Sequence, residues 1–91
     1  MAETTTVRIA GADHQVSRAQ VLDATRYQRP PYALTPGSHW ARVRERRVSA
    51  RWALVRTLEA TGRSEAAAGV QTWHALDTLR RLDFPTGQIP R

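Results

Sequence analysis

The 91-residue chain carries 14 basic and 8 acidic residues, a formal net charge of +6, 41% hydrophobic residues and no cysteine. Its length allows one domain with one modest core, because a chain this size hides only roughly two-thirds of its unfolded surface. The composition excludes disulfides, zinc-thiolate sites and thiol nucleophiles; the apolar runs are far short of the roughly 20 residues a membrane span needs, and the start MAETTTVRIA lacks the basic-then-apolar order of a signal peptide.

These exclusions leave a cytoplasmic protein with no membrane association as the expectation. Every basic residue is arginine, which together with abundant alanine is what a GC-rich coding sequence produces. The preference for arginine over lysine therefore says little about a ligand. The charge excess says more, since codon bias does not remove carboxylates and a pI near 11.4 attracts polyanions.

Residues 4–9 (TTTVRI) are β-branched, with Val7 and Ile9 spaced as one face of a strand requires. Ala10-Gly11-Ala12-Asp13 supplies a turn, and residues 14–16 read as a short returning strand. A helix begins at Ser17. Ser17 and Gln20 have capping-box spacing, Val16 and Val21 stand at staple positions, and the buried side is Val21, Leu22 and Thr25. The helix must end before Arg29-Pro30-Pro31, because a residue preceding proline avoids helical geometry. Residues 30–37 (PPYALTPG) form a stiff connector, with Tyr32 and Leu34 packed and Pro36-Gly37 closing a turn.

Residues 38–43 alternate, Ala41 and Val43 to one side and Trp40 and Arg42 to the other, and residues 46–48 read as a return strand. With Arg44-Glu45 at the tip, Val43 and Val48 share the core face and Arg42 lies opposite Arg47 on the far face. The tip lacks the Asn-Gly or Asp-Gly of a favoured two-residue turn, so the pattern leaves the register open by one residue.

Ser49 caps the next helix, which runs to about Thr61 with Gly62 closing it and with Leu54, Val55 and Leu58 buried and Trp52 on a flank. Arg51 is an oddity. It opposes the macrodipole at the helix start, so its head either snorkels to water or is aimed at a phosphate. Residues 63–69 read as a loop in which residues 64–68 can form one helical turn. The last helix spans about residues 72–82, capped by Thr72, with a stripe of Ala75, Leu76, Leu79 and Leu82 and an outward Asp77–Arg81 pair. Trp73, His74, Arg80 and Arg81 fall off that stripe, Phe84 closes the core, and Pro85-Thr86-Gly87 ends the domain.

The fold class is therefore α+β: a short N-terminal strand or hairpin, a helix, a basic β-hairpin, then two amphipathic helices around one small core. Residues 1–91 form a single domain, with 1–3 and 86–91 expected to be mobile.

Residues 39–84, a strand, a basic turn, RRVSAR, a helix, a gap and VQTWHALDTLRRLDF, resemble a small module of actinobacterial and phage proteins. The nearest named form is the N-terminal head domain of ScoMcrA-like modification-dependent restriction endonucleases. In that resemblance Arg51 stands at the module's lysine, Ala75 and Leu79 at its helix core, and Arg80-Arg81-Leu82-Asp83-Phe84 at its closing motif. Ser49-Ala50 replaces two prolines, Val70 a phenylalanine and Asp83 a glycine, and no nuclease segment is present. The resemblance implies contact with DNA without cleavage.

The residues themselves argue against catalysis and cofactors. His14, His39 and His74 lie on separate elements with no metal-ligand spacing, there is no GxSxG or phosphate-cradling glycine loop, and Ser17 and Ser49 act as caps. Two binding readings stay open. In one, Trp40, Arg42, Arg44, Arg46, Arg47 and Arg51, extended by Arg56, Arg80 and Arg81, form a basic, aromatic-edged patch for DNA or RNA. In the other, the arginines are a solvated shell, the tryptophans fill the core, and the chain is an accessory or adaptor protein with a protein partner.

Overall fold

The computed structural model describes residues 3–31 and 33–91, so the expected packing of Tyr32 lies outside the described residues. β1 (Thr4–Ile9) and β2 (Ala12–Ser17) form an antiparallel hairpin that buries Val7, Ile9 and Val16 and exposes alternate positions. Ala10 (φ 50°) and Gly11 (φ 81°) connect them, the double positive φ of a type I′ turn that matches the twist of the strands.

α1 (Arg18–Thr25) follows at once through the expected capping box: Gln20 N donates to Ser17 Oγ at 3.0 Å and Ser17 N to Gln20 Oε1 at 3.1 Å. Val21, Ala24 and Thr25 are buried, and Thr25 satisfies its hydroxyl on the Val21 carbonyl at 2.8 Å. Residues 35–38 turn as anticipated, with Ser38 N on Thr35 O at 2.9 Å and Gly37 at φ 87°.

The second sheet has the order β4-β3-β5, from β3 (His39–Val43), β4 (Arg46–Ser49) and β5 (Thr86–Gln88). The two-residue tip Arg44-Glu45 fixes the register left open above, pairing Val43 with Arg46, Arg42 with Arg47 and Ala41 with Val48. β5 is a correction: residues 86–88 do not fray but pair antiparallel with β3, Thr86 opposite Ala41 and Gly87 opposite Trp40. The pairing continues past β5, since Ile89 N donates to Ser38 O and Gly37 N to Ile89 O, both at 2.8 Å. Without β5 that edge of β3 would present unpaired backbone groups.

α2 (Ala50–Ala60) is the central helix, packed against α1, α3 (Ser64–Ala68), α4 (Thr72–Arg81) and β3. Ser49 caps it, accepting from Trp52 N at 3.2 Å, and Leu54 and Leu58 are fully buried while Val55 is half-buried. Trp52, expected on a flank, is 8% exposed: Ala50, Ala53 and Thr57 are buried too, so the packed side is wider than a stripe of large residues suggests. Residues 64–68, read from the sequence as part of a loop able to hold one helical turn, form α3.

α4 is capped by Gln71 and not by Thr72, which is its first helical residue. The reason is His74. Its Nδ1 accepts from Gln71 N at 2.9 Å, so an imidazole takes the place usually filled by glutamate or glutamine in reaching back to the cap. That bond draws His74 in, leaving it 7% exposed although its position is off the aliphatic stripe.

Two helices end in Schellman motifs. After α2, Arg63 N bonds Leu58 O and Gly62 N bonds Glu59 O, with Gly62 at φ 77°. After α4, Phe84 N bonds Leu79 O and Asp83 N bonds Arg80 O, with Asp83 at φ 64°. The second motif folds Phe84 back into the core beside Leu79 and Leu82, as expected. One cluster thus joins both sheets and the helices, from Val7 and Ile9 through Leu54 and Leu58 to Phe84.

Candidate nucleic-acid interface

Strand alternation builds the outward face of the basic hairpin. Ala41, Val43 and Val48 are buried beneath it, which forces Trp40, Arg42 and Arg47 to the other side. Arg42 and Arg47 are exposed and directly opposite each other, two like charges across one strand pair. Arg44, at the tip, takes φ 60° while Glu45 does not turn positive, which is the pattern of a type II′ turn. Among the described residues, no carboxylate or carbonyl engages the side chains of Arg42, Arg44 or Arg47.

Trp40 is fixed from beneath and above. A Cβ placed on Gly87 would lie 2.5 Å from Trp40 Cζ2 and 2.8 Å from Cε2, so the indole rests on bare β5 backbone. On the ring, the Arg47 guanidinium carbon stands 4.4 Å from the centroid, a cation–π contact. This stack holds the Arg47 head in place while its N–H donors stay available.

The remaining arginines expected in the patch are engaged elsewhere. Arg46 Nη2 donates to the carbonyls of Thr25 and Gln28, the latter at 2.6 Å, so its charge sits at the C-terminal end of α1, where the helix dipole favours it. Arg56 pairs with Glu59 at 3.5 Å, and Arg81 with Asp77 at 3.3 Å, the pair expected from i,i+4 spacing. Arg80 Nε donates to Thr86 Oγ1 at 2.7 Å, tying α4 to β5. Arg51 Nε donates to Val70 O at 3.0 Å, which turns its side chain toward the start of α4. The structure therefore joins Trp40, Arg42 and Arg47 on one face, with Arg44 exposed at the tip of the same hairpin, and spends Arg46, Arg56, Arg80 and Arg81 on internal partners. Arg18, outside the expected patch, acts like Arg46: its Nη1 binds Leu82 O at 2.7 Å, and its head lies 4.3 Å from the Phe84 ring centroid.

Arg51 belongs to a second feature that the sequence reading did not assemble. A shallow groove runs between the start of β3 and the start of α4, lined by His39, Arg51, Val70, Gln71, Thr72, Trp73 and Leu76. Trp73 is 61% exposed in it, and no acidic residue lines it. The only sequence sign of this groove was negative: Trp73 fits no buried stripe.

Among the described residues there is no cluster of His, Asp and Glu able to hold a metal ion, and no helix is long and apolar enough to cross a membrane. Comparison of the chain with protein-family models, curated proteins and solved structures returned no match.

Proposed function

We propose that the chain is a small non-catalytic nucleic-acid-binding domain that lays the outward face of the β3–β4 ribbon against a phosphate-bearing strand. The observation that carries this reading is the opposed Arg42–Arg47 pair, which no internal carboxylate neutralises among the described residues. Like charges directly across a strand pair are destabilising, and an anion lying over both turns the repulsion into a shared attraction. Arginine suits the task because its planar fork binds phosphate or guanine through two donors at once, and a two-stranded ribbon fits the major groove of B-form DNA. The reading agrees with the resemblance of residues 39–84 to DNA-contacting head domains, although it places the contact on the hairpin and not on the closing Arg80-Arg81 motif.

The test is fluorescence anisotropy with short DNA and RNA probes, comparing the wild type with R42E/R47E. The double reversal keeps a like-charge pair but removes the Arg47–Trp40 contact, so the thermal midpoint should fall by only a few degrees while binding is lost. Retained binding removes the hairpin from the account. If no oligonucleotide binds and a protein companion survives nuclease treatment in a pull-down, the adaptor reading replaces this one.

A further inference from the structure

The groove beside the hairpin has the parts of a nucleotide site. Trp73 is an exposed aromatic that is nevertheless held: its Nε1 donates to Gln71 Oε1 at 3.1 Å, and its ring leans on His74 with centroids 3.9 Å apart. A ring ordered before binding loses little conformational freedom when a flat partner stacks on it. Arg51 is also held at one point only. Its Nε is used by Val70 O, and among the described residues nothing engages its two terminal nitrogens. His39 lines the same groove, with half-buried Leu76 supplying apolar surface.

Charge complementarity selects the occupant. With the Arg51 charge present and no acid in the lining, the groove suits a group that is anionic at one end and flat and apolar at the other. We infer that it takes one unpaired nucleotide of the bound strand, with the base on Trp73 and the phosphate on Arg51 and His39. The inference rests on the nucleic-acid reading above and adds the strand state. His39 and Trp40 are consecutive in β3 and so point to opposite faces of the sheet, which places the groove around the start of β3 from the Arg42–Arg47 face. A strand on the hairpin face enters the groove by passing the start of β3, and base–aromatic stacking tolerates every base.

The experiment measures affinity for two fluorescent probes, a short fully paired DNA duplex and the same duplex with one unpaired thymidine. The wild type should bind the unpaired probe about tenfold more tightly, within the range one base stacked on an aromatic contributes. W73A should erase that preference and leave affinity for the paired duplex unchanged, and W73F should keep most of it; circular dichroism confirms that both variants fold. A preference that survives W73A overturns the inference, and so does an equal loss on both probes. Wild-type protein that binds the paired duplex through Arg42 and Arg47 without favouring the unpaired probe overturns this inference alone. Wild-type protein that binds neither probe overturns the hairpin reading as well. Binding of polyglutamate that W73A abolishes, with no preference between the DNA probes, would make the groove a peptide site and overturn the inference.

Discussion

Gly87→Ala is the most demanding test of how the hairpin face is built. The new Cβ would stand 2.5 Å from Trp40 Cζ2, 2.8 Å from Cε2 and 3.1 Å from Nε1, so three ring atoms must move. The indole cannot yield as the tip of a flexible chain would, because the β3–β5 pairing holds its backbone and Arg47 lies on the ring. Overpacking of this kind costs about 1–3 kcal/mol, and displacement from Arg47 forfeits a further ~0.5–1 kcal/mol of cation–π contact. In a domain of this size each kcal/mol is worth roughly 4–8 °C in thermal midpoint. The assay is a double-mutant cycle in urea with G87A, W40A and the pair. If the cost is the clash, G87A should be much cheaper in the W40A background, with a coupling of about 1 kcal/mol or more. Gly11→Ala serves as the contrast: its Cβ would meet nothing within 4 Å, so its cost comes only from the positive φ of 81°. Additive effects of G87A and W40A would refute the argument that the Trp40 ring needs a glycine beneath it.

Other substitutions separate structural arginines from those available for binding. R46A removes two charge-assisted hydrogen bonds, from Nη2 to the carbonyls of Thr25 at the end of α1 and Gln28 just beyond it, and should cost about 1–2 kcal/mol in urea denaturation while leaving affinity per folded molecule intact, and R46K should restore only part of the loss. R42E should do the reverse. It replaces repulsion across the strand pair with attraction, which is expected to raise stability by ~0.2–1 kcal/mol while weakening nucleic-acid binding in anisotropy. D83G relieves a left-handed residue at φ 64° in the α4 Schellman motif and should add about 0.5–1 kcal/mol in thermal melts, whereas G62D should subtract a similar amount.

Features set by near neighbours were legible in the sequence. The Ser17–Gln20 capping box, the alternation of residues 40–43, the Ser49 cap and the Asp77–Arg81 pair each depend on residues a turn or a strand step apart, and each is present. What escaped depends on partners far along the chain. β5 has three residues and no hydrophobic alternation, and it is a strand only because β3 offers it an open edge. Arg46 and Arg18 could not be told from surface arginines, because the carbonyls they bind lie 21 and 64 residues away. His74 and Gln71 were misread for a subtler reason, since histidine is not the residue expected to complete a capping box. The candidate site was legible in its hairpin half through side-chain alternation, but the Trp73 groove needed the α4 start and the β3 start brought together.

The salt dependence of DNA affinity tests the central claim most directly. Each phosphate neutralised releases condensed counterions, contributing roughly −0.9 to the slope of log K against log salt concentration on duplex DNA. With Arg42, Arg44 and Arg47 as the contacts, the wild-type slope should be about −2.7, and R42Q/R47Q should flatten it by roughly 1.8. A wild-type slope near zero, or a slope that R42Q/R47Q leaves unchanged, would contradict the assignment of the β3–β4 ribbon as the nucleic-acid face.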